Sequence, residues 1–136
     1  MREIRQRAKA IINEYIKLTT IILPNFERAI AEVEEELTSL KSIQLSDMPK
    51  GSSIVNYRIE NLIINKDKLK NAYNKQLLIN ERFKRVFYSL EPIEREAVLF
   101  KMNNVSIQSL LQKYKVSKTE FYRIKDRAYK KILEKY

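Results

Sequence analysis

The chain contains no cysteine and no histidine. The first absence removes disulfides and thiol chemistry. Together they remove zinc sites of the cysteine–histidine kind and every catalytic triad or dyad built on either residue. The acidic residues fall on expected helix surfaces, with no spaced Asp/Glu cluster backed by a lysine, so neither a carboxylate catalytic centre nor an enzyme is expected. No metal and no cofactor is expected either. Tyr122 invites comparison with a recombinase nucleophile, but it lacks the arginine and histidine setting that such chemistry needs. Helix breakers are scarce: Gly51 is the single glycine, and the prolines are Pro24, Pro49 and Pro92. With helix formers abundant, an all-α fold is predicted. No apolar run approaches bilayer-spanning length, and the amino-terminal stretch is charged with no signal-peptide core. The expectation is a soluble, cytoplasmic protein without membrane contact.

What is present is positive charge. The 136 residues carry a formal net charge of +10, which favours a polyanionic partner and salt-dependent association. The charge and the helical periodicity meet in one stretch, Val105–Leu133. Ser106 is a candidate cap, followed by Ile107, Leu110, Leu111 and Tyr114 on one helical face. Val116 sits in a very short connection. Ser117 with Glu120 three residues later reads as a capping box opening a second helix. Phe121, Ile124, Ala128 and Ile132 form the buried stripe of that helix. Lys118, Thr119, Tyr122 and Arg123 fall off the stripe in its leading turns.

This is the pattern of a helix-turn-helix whose second helix enters a DNA major groove. On that reading Lys118, Thr119, Tyr122 and Arg123 are the base-reading set. Arg123 suits guanine, and Thr119 or the Tyr122 ring suits a thymine methyl. Lys113, Lys115, Arg127, Lys130 and Lys131 are the phosphate set. The competing reading is a helical hairpin with a solvated basic face.

Leu90–Leu133 resembles the helix-turn-helix of region 4 of bacterial sigma-70 factors. Within that class it is most similar to small phage-encoded regulators of the ArpU and RinA type. The matching residues are L-E-P-I-E-R-E-A-V-L at Leu90–Leu99, the pair Val116–Ser117, and R-x-x-x-R-A-x-x-K-I at Arg123–Ile132. The turn-forming stretch Ser46–Ser53 is a further, weaker likeness. The resemblance implies promoter or operator DNA as ligand, contact with RNA polymerase, and late-gene activation in a bacterial host cell. Leu111 stands where the family usually has a small residue, and Lys115 where it often has glycine. Lys115 must therefore be left-handed or lie in a rounder turn.

Upstream, Arg2–Thr19 reads as an amphipathic helix with Ile4, Ala8, Ile11, Tyr15 and Leu18 on its face and Ile12 beside them. Its basic start is read as solvated surface, with an arm touching phosphates as the alternative. Proline disfavours helical geometry at the preceding residue, so Pro24 sets a boundary or kink near Leu23. Asn25–Lys41 is a second, acidic helix. Its seam, Phe26, Ile30, Val33, Leu37 and Leu40, is a candidate face for a homodimer or another protein partner, or packs back on the first helix. A loop at about 43–53 precedes a long helix from a Ser53 cap to about Tyr88, with a break near Ile64–Asp67 as the alternative. Ile54, Tyr57 or Arg58, Asn61 or Leu62, Asn65, Leu69, Tyr73, Gln76 or Leu77, Asn80, Phe83 and Phe87 are placed along its packed side, which Val55, Ile59, Ile63, Leu78, Ile79 and Val86 widen considerably. The domain division expected is an N-terminal helical or oligomerisation region, 1–88, and a tri-helical DNA-binding domain, 89–136. Two alternatives to a transcriptional regulator stay open: a small-terminase-like packaging component, and a protein-interaction adaptor or antagonist that binds no DNA.

Overall fold

The computed structural model describes residues 2–45 and 52–136. The predicted turn formers Ser46, Asp47, Pro49 and Gly51 lie outside the described residues, as does the side chain of Ser53. The fold is all-α, with no strand among the described residues. The helices are α1 (Arg2–Lys17), α2 (Leu23–Leu45), α3 (Ser52–Tyr88), α4 (Pro92–Leu99), α5 (Ile107–Tyr114) and α6 (Lys118–Lys135). A single π-helical turn, Leu18–Ile22, joins α1 to α2.

That π turn is the local answer to Pro24. Proline has no N–H to give the carbonyl four residues back, and its ring crowds that carbonyl. A wider turn relieves the crowding. In the same stretch Thr19 Oγ1 donates to the Tyr15 carbonyl at 2.9 Å and Thr20 Oγ1 to the Ile16 carbonyl at 2.6 Å. The expected boundary is thus a change of helical winding ending at Ile22.

The chain divides into two compact units, one of residues 1–20 and 78–136 and one of residues 21–77. This differs from the 1–88 and 89–136 division that the sequence suggests, because α1 belongs with α4–α6. The apolar face of α1 packs on α6, and Ala8, Ile12 and Tyr15 are buried, with Ile12 taking the inner position and Ile11 half-buried. Tyr15 stacks on Phe87 at 4.6 Å between ring centroids and meets Phe83 at 5.7 Å. In the same unit α4 packs on both α5 and α6. Ala97, Leu110, Phe121 and Ile124 form the centre of that packing, ringed by Ile93, Phe100, Val105, Ile107, Leu111, Tyr114 and Val116. Each large side chain buried there contributes roughly 1.5–3 kcal/mol.

In residues 21–77, α2 and α3 pack on each other through Val33, Leu37 and Ile59, with Leu40, Val55, Leu62 and Leu69 around them. The Phe26 ring lies 6.3 Å from Tyr73, and Ile30 is half-buried. The candidate partner seam Phe26, Ile30, Val33, Leu37 and Leu40 is turned to α3. The acidic side of α2 meets basic residues of α3. Glu36 pairs with Arg58, and Glu34 with Lys66 at 3.4 Å and Lys70 at 3.6 Å.

The long helix is continuous through Ile64–Asp67. Its asparagines at 61, 65, 71 and 74 are exposed, where water satisfies their amides and the helix-propensity cost is small. The packed side is phased differently from the expectation at its start. Ile54 and Tyr57 are 77% and 67% exposed, while Val55, Ile59 and Leu62 face α2. Farther along, Phe83, Val86, Phe87 and Asn80 are buried.

Candidate nucleic-acid interface

The α5–α6 connection is built by three local devices. Ser106, extended at φ −82° and ψ 153°, accepts the Ser109 N–H on its hydroxyl at 3.1 Å and opens α5. Lys115 closes α5 in the left-handed region, φ 54° and ψ 45°. That conformation lets the Val116 N–H reach back to the Leu111 carbonyl at 3.2 Å, while Val116 and Leu111 both pack on the core beneath. Backbone bond and apolar contact together make a Schellman-type ending. Leu111, where a smaller residue was the family's habit, thereby becomes one half of the turn's apolar clasp. Ser117 then accepts the Glu120 N–H at 3.1 Å and opens α6. The reciprocal half of the expected capping box does not form among the described residues: Glu120 is exposed and its carboxylate caps nothing.

A capping interaction of that kind exists instead at α4. Glu91 is extended, Pro92 occupies the first helical position, and the Glu94 carboxylate accepts the Glu91 N–H at 3.0 Å. Glu94 is also the fully buried charge of this unit, at 0% exposure. Lys131 Nζ donates to Glu94 Oε1 at 2.9 Å and Arg127 Nε to Oε2 at 3.2 Å. Burial by itself would push this carboxyl up. The Lys131, Glu91 and Arg127 hydrogen bonds outweigh it and hold Glu94 below the usual carboxylate range. One carboxylate thus pins α6 to the start of α4.

The expected core residues are where the periodicity puts them. Phe121, Ile124, Ala128, Ile132 and Leu110 are buried, and Ile107, Leu111 and Val116 are half-buried. Tyr129 is buried as well, under α1. On the opposite side, Lys118, Thr119, Tyr122 and Arg123 are all exposed, Tyr122 at 44% with its ring edge-on to Phe121. Among the described residues neither Lys118 nor Arg123 is in an ion pair.

The five expected phosphate residues fall into two classes. Lys115 and Lys130 are exposed and outside any ion pair among the described residues. Lys113, Arg127 and Lys131 are engaged by α4. Lys113 Nζ lies 2.8 Å from Glu96 Oε1, and the Tyr114 hydroxyl donates to the other Glu96 oxygen. The Lys113 and Tyr114 hydrogen bonds hold Glu96 below the carboxylate range. Arg127 and Lys131 hold Glu94.

Two further contacts place α1 beside this surface. Arg5 grips Asp126 with two hydrogen bonds of 2.9 Å, in the fork geometry that suits a guanidinium to a carboxylate. The Arg5 side chain is about half exposed, so the pair is a positioning contact more than a large source of stability. The amphipathic pattern of α1 is visible in sequence. Its docking on a helix more than a hundred residues away is not, since neither Arg5 nor Asp126 carries a local signal.

Among the described residues no group of acidic, histidine or cysteine side chains could hold a metal ion, and no helix is long and apolar enough to cross a membrane. No protein-family profile, no curated protein and no solved structure matches this chain.

Proposed function

We propose that this protein binds double-stranded DNA sequence-specifically through the leading turns of α6 and acts by binding alone, as a transcriptional regulator. The single observation that carries this reading is the split of α6. Its inner stripe is wholly buried, while Lys118, Thr119, Tyr122 and Arg123 are exposed together, with no carboxylate among the described residues paired to the two cations. The net charge of +10 supports a polyanionic ligand. The resemblance of Leu90–Leu133 to sigma-70 region 4 and to the ArpU and RinA regulators supports promoter DNA and a phage or prophage late-gene activator. Contact with host RNA polymerase belongs to the same proposal.

In the mechanism, α5 and the turn set the angle at which α6 leaves the core. Base edges are read from the first two turns of α6. Lys115 and Lys130 fix register on phosphates. Lys113, Arg127 and Lys131 contribute field from positions held by α4.

The test is selection of bound fragments from the encoding genome, followed by Arg123→Ala on the selected site. A loss of roughly 1–3 kcal/mol in discrimination at one base position supports base reading. Failure to enrich any fragment at low salt overturns the proposal.

A further inference from the structure

A second positive site lies off the reading face. Between α1, the turn after α4 and the middle of α6 there is a cleft of about 190 Å³. Lys9, Lys101 and Lys125 line it, one from each element, together with Asn13, Phe100 and Tyr129. None of the three lysines is in an ion pair among the described residues. The nearest acid on α6, Asp126, is already held by both arms of Arg5.

Lys125 cannot simply swing into water. It is partly buried, with its ammonium 5.3 Å from the Phe100 ring centroid and 6.0 Å from that of Tyr129. Burial pushes its ammonium down from the ordinary lysine range, and the charges of Lys9 and Lys101 push it further. Asp126 favours the Lys125 ammonium, but it is shared with Arg5, so among the described residues the three like charges converging on the cleft are incompletely compensated and raise the energy of the empty site. A bound anion removes that repulsion. Lysines on three separate elements suit a compact anion with several oxygens, since each ammonium acts as a point charge on its own oxygen.

We infer that the cleft lined by Lys9, Lys101 and Lys125 is an oxyanion site for a phosphate group. The phosphate comes either from a DNA backbone flanking the reading helix or from a free phosphate compound. The chemistry is shared, and the site does not depend on the DNA reading of α6.

The experiment uses the full chain carrying ¹³C at the lysine ε-carbons, titrated with inorganic phosphate at constant ionic strength. The expected result is that Lys9, Lys101 and Lys125 shift together and saturate, while the solvent-facing Lys130 does not saturate. Lys101→Gln, in a turn where the fold does not rest on it, is expected to weaken phosphate binding at least ~5-fold through the loss of one charge-assisted contact. If all lysines drift alike without saturating, or if Lys101→Gln leaves the midpoint unchanged, the inference is overturned.

A second arm identifies the source. If the phosphate is DNA's, Lys101→Gln lowers the slope of log affinity against log salt by about one. If it is a free compound, that slope is unchanged and inorganic phosphate still saturates the cleft of DNA-bound protein. Should the protein bind no DNA, the reading of α6 fails while the phosphate titration alone still decides the cleft.

Discussion

Lys115 holds a backbone conformation that glycine adopts at lower cost, and the whole entry angle of α6 depends on it. A non-glycine residue in this region costs about 1–2 kcal/mol. Glycine in turn loosens the unfolded chain by about 0.4–1 kcal/mol. Lys115→Gly is therefore expected to stabilise the protein by a few tenths to about 1 kcal/mol, read by denaturant unfolding, while a β-branched substitution there destabilises it. On the proposed DNA-binding reading the same variant also removes one phosphate contact, so a stabilised protein with weaker DNA affinity is the expected pairing.

Glu94 is the other residue on which much turns. Its carboxyl is held below the ordinary value of 4.5, so the stability it confers is present above that value. That stability is lost as pH falls through the ordinary range to the depressed folded-state value. Glu94→Gln is expected to cost about 1–3 kcal/mol at neutral pH. Thermal unfolding of the two proteins should converge as acid is added; a gap that stays constant with pH contradicts the ion-pair role. Neither residue's importance is obvious from its type. Lys115 was visible as a departure from glycine. The burial of Glu94 was not, because Glu91, Glu94 and Glu96 look alike in sequence and only packing distinguishes them.

Among the elements, α5 and α6 are the most legible. Eight-residue α5 and eighteen-residue α6 each have one narrow apolar stripe and a serine cap, so period and boundary agree. The long α3 was legible as a helix but not as a face. Apolar residues occupy so much of its circumference that several phases fit, and only the side facing α2 decides between them. This is why Ile54 and Tyr57 were misplaced outward-for-inward. The split among the cations of α5 and α6 gives a graded prediction. Lys130→Ala should lower DNA affinity uniformly across sequences and reduce the salt slope by about one. Arg127→Ala should reduce that slope less while lowering stability, since its Nε is committed to Glu94. Equal slopes for the two variants would contradict the division.

On the scale of the molecule, composition predicted helices throughout but could not assign α1 its partner. The packing of α1 on α6, together with Tyr15 against Phe83 and Phe87, makes residues 1–20 part of the same unit as residues 78–136. A fragment of residues 78–136 alone is expected to unfold with a broader transition and lower midpoint than the intact chain, because Phe87 and Tyr129 lose the cover of α1. Restored sharpness when a peptide of residues 1–20 is added would identify α1 as the missing part. Domain boundaries drawn from loops and charge alone miss such a closure.

The Arg5–Asp126 grip joins positions 121 residues apart. Contacts of such separation form late, since the intervening loop must close first. A ribosome that has released α1 but not yet α6 therefore displays an amphipathic segment that has Phe83 and Phe87 to meet but not yet its partner helix α6. Premature termination anywhere before Asp126 leaves that segment as bait for chaperones and proteases.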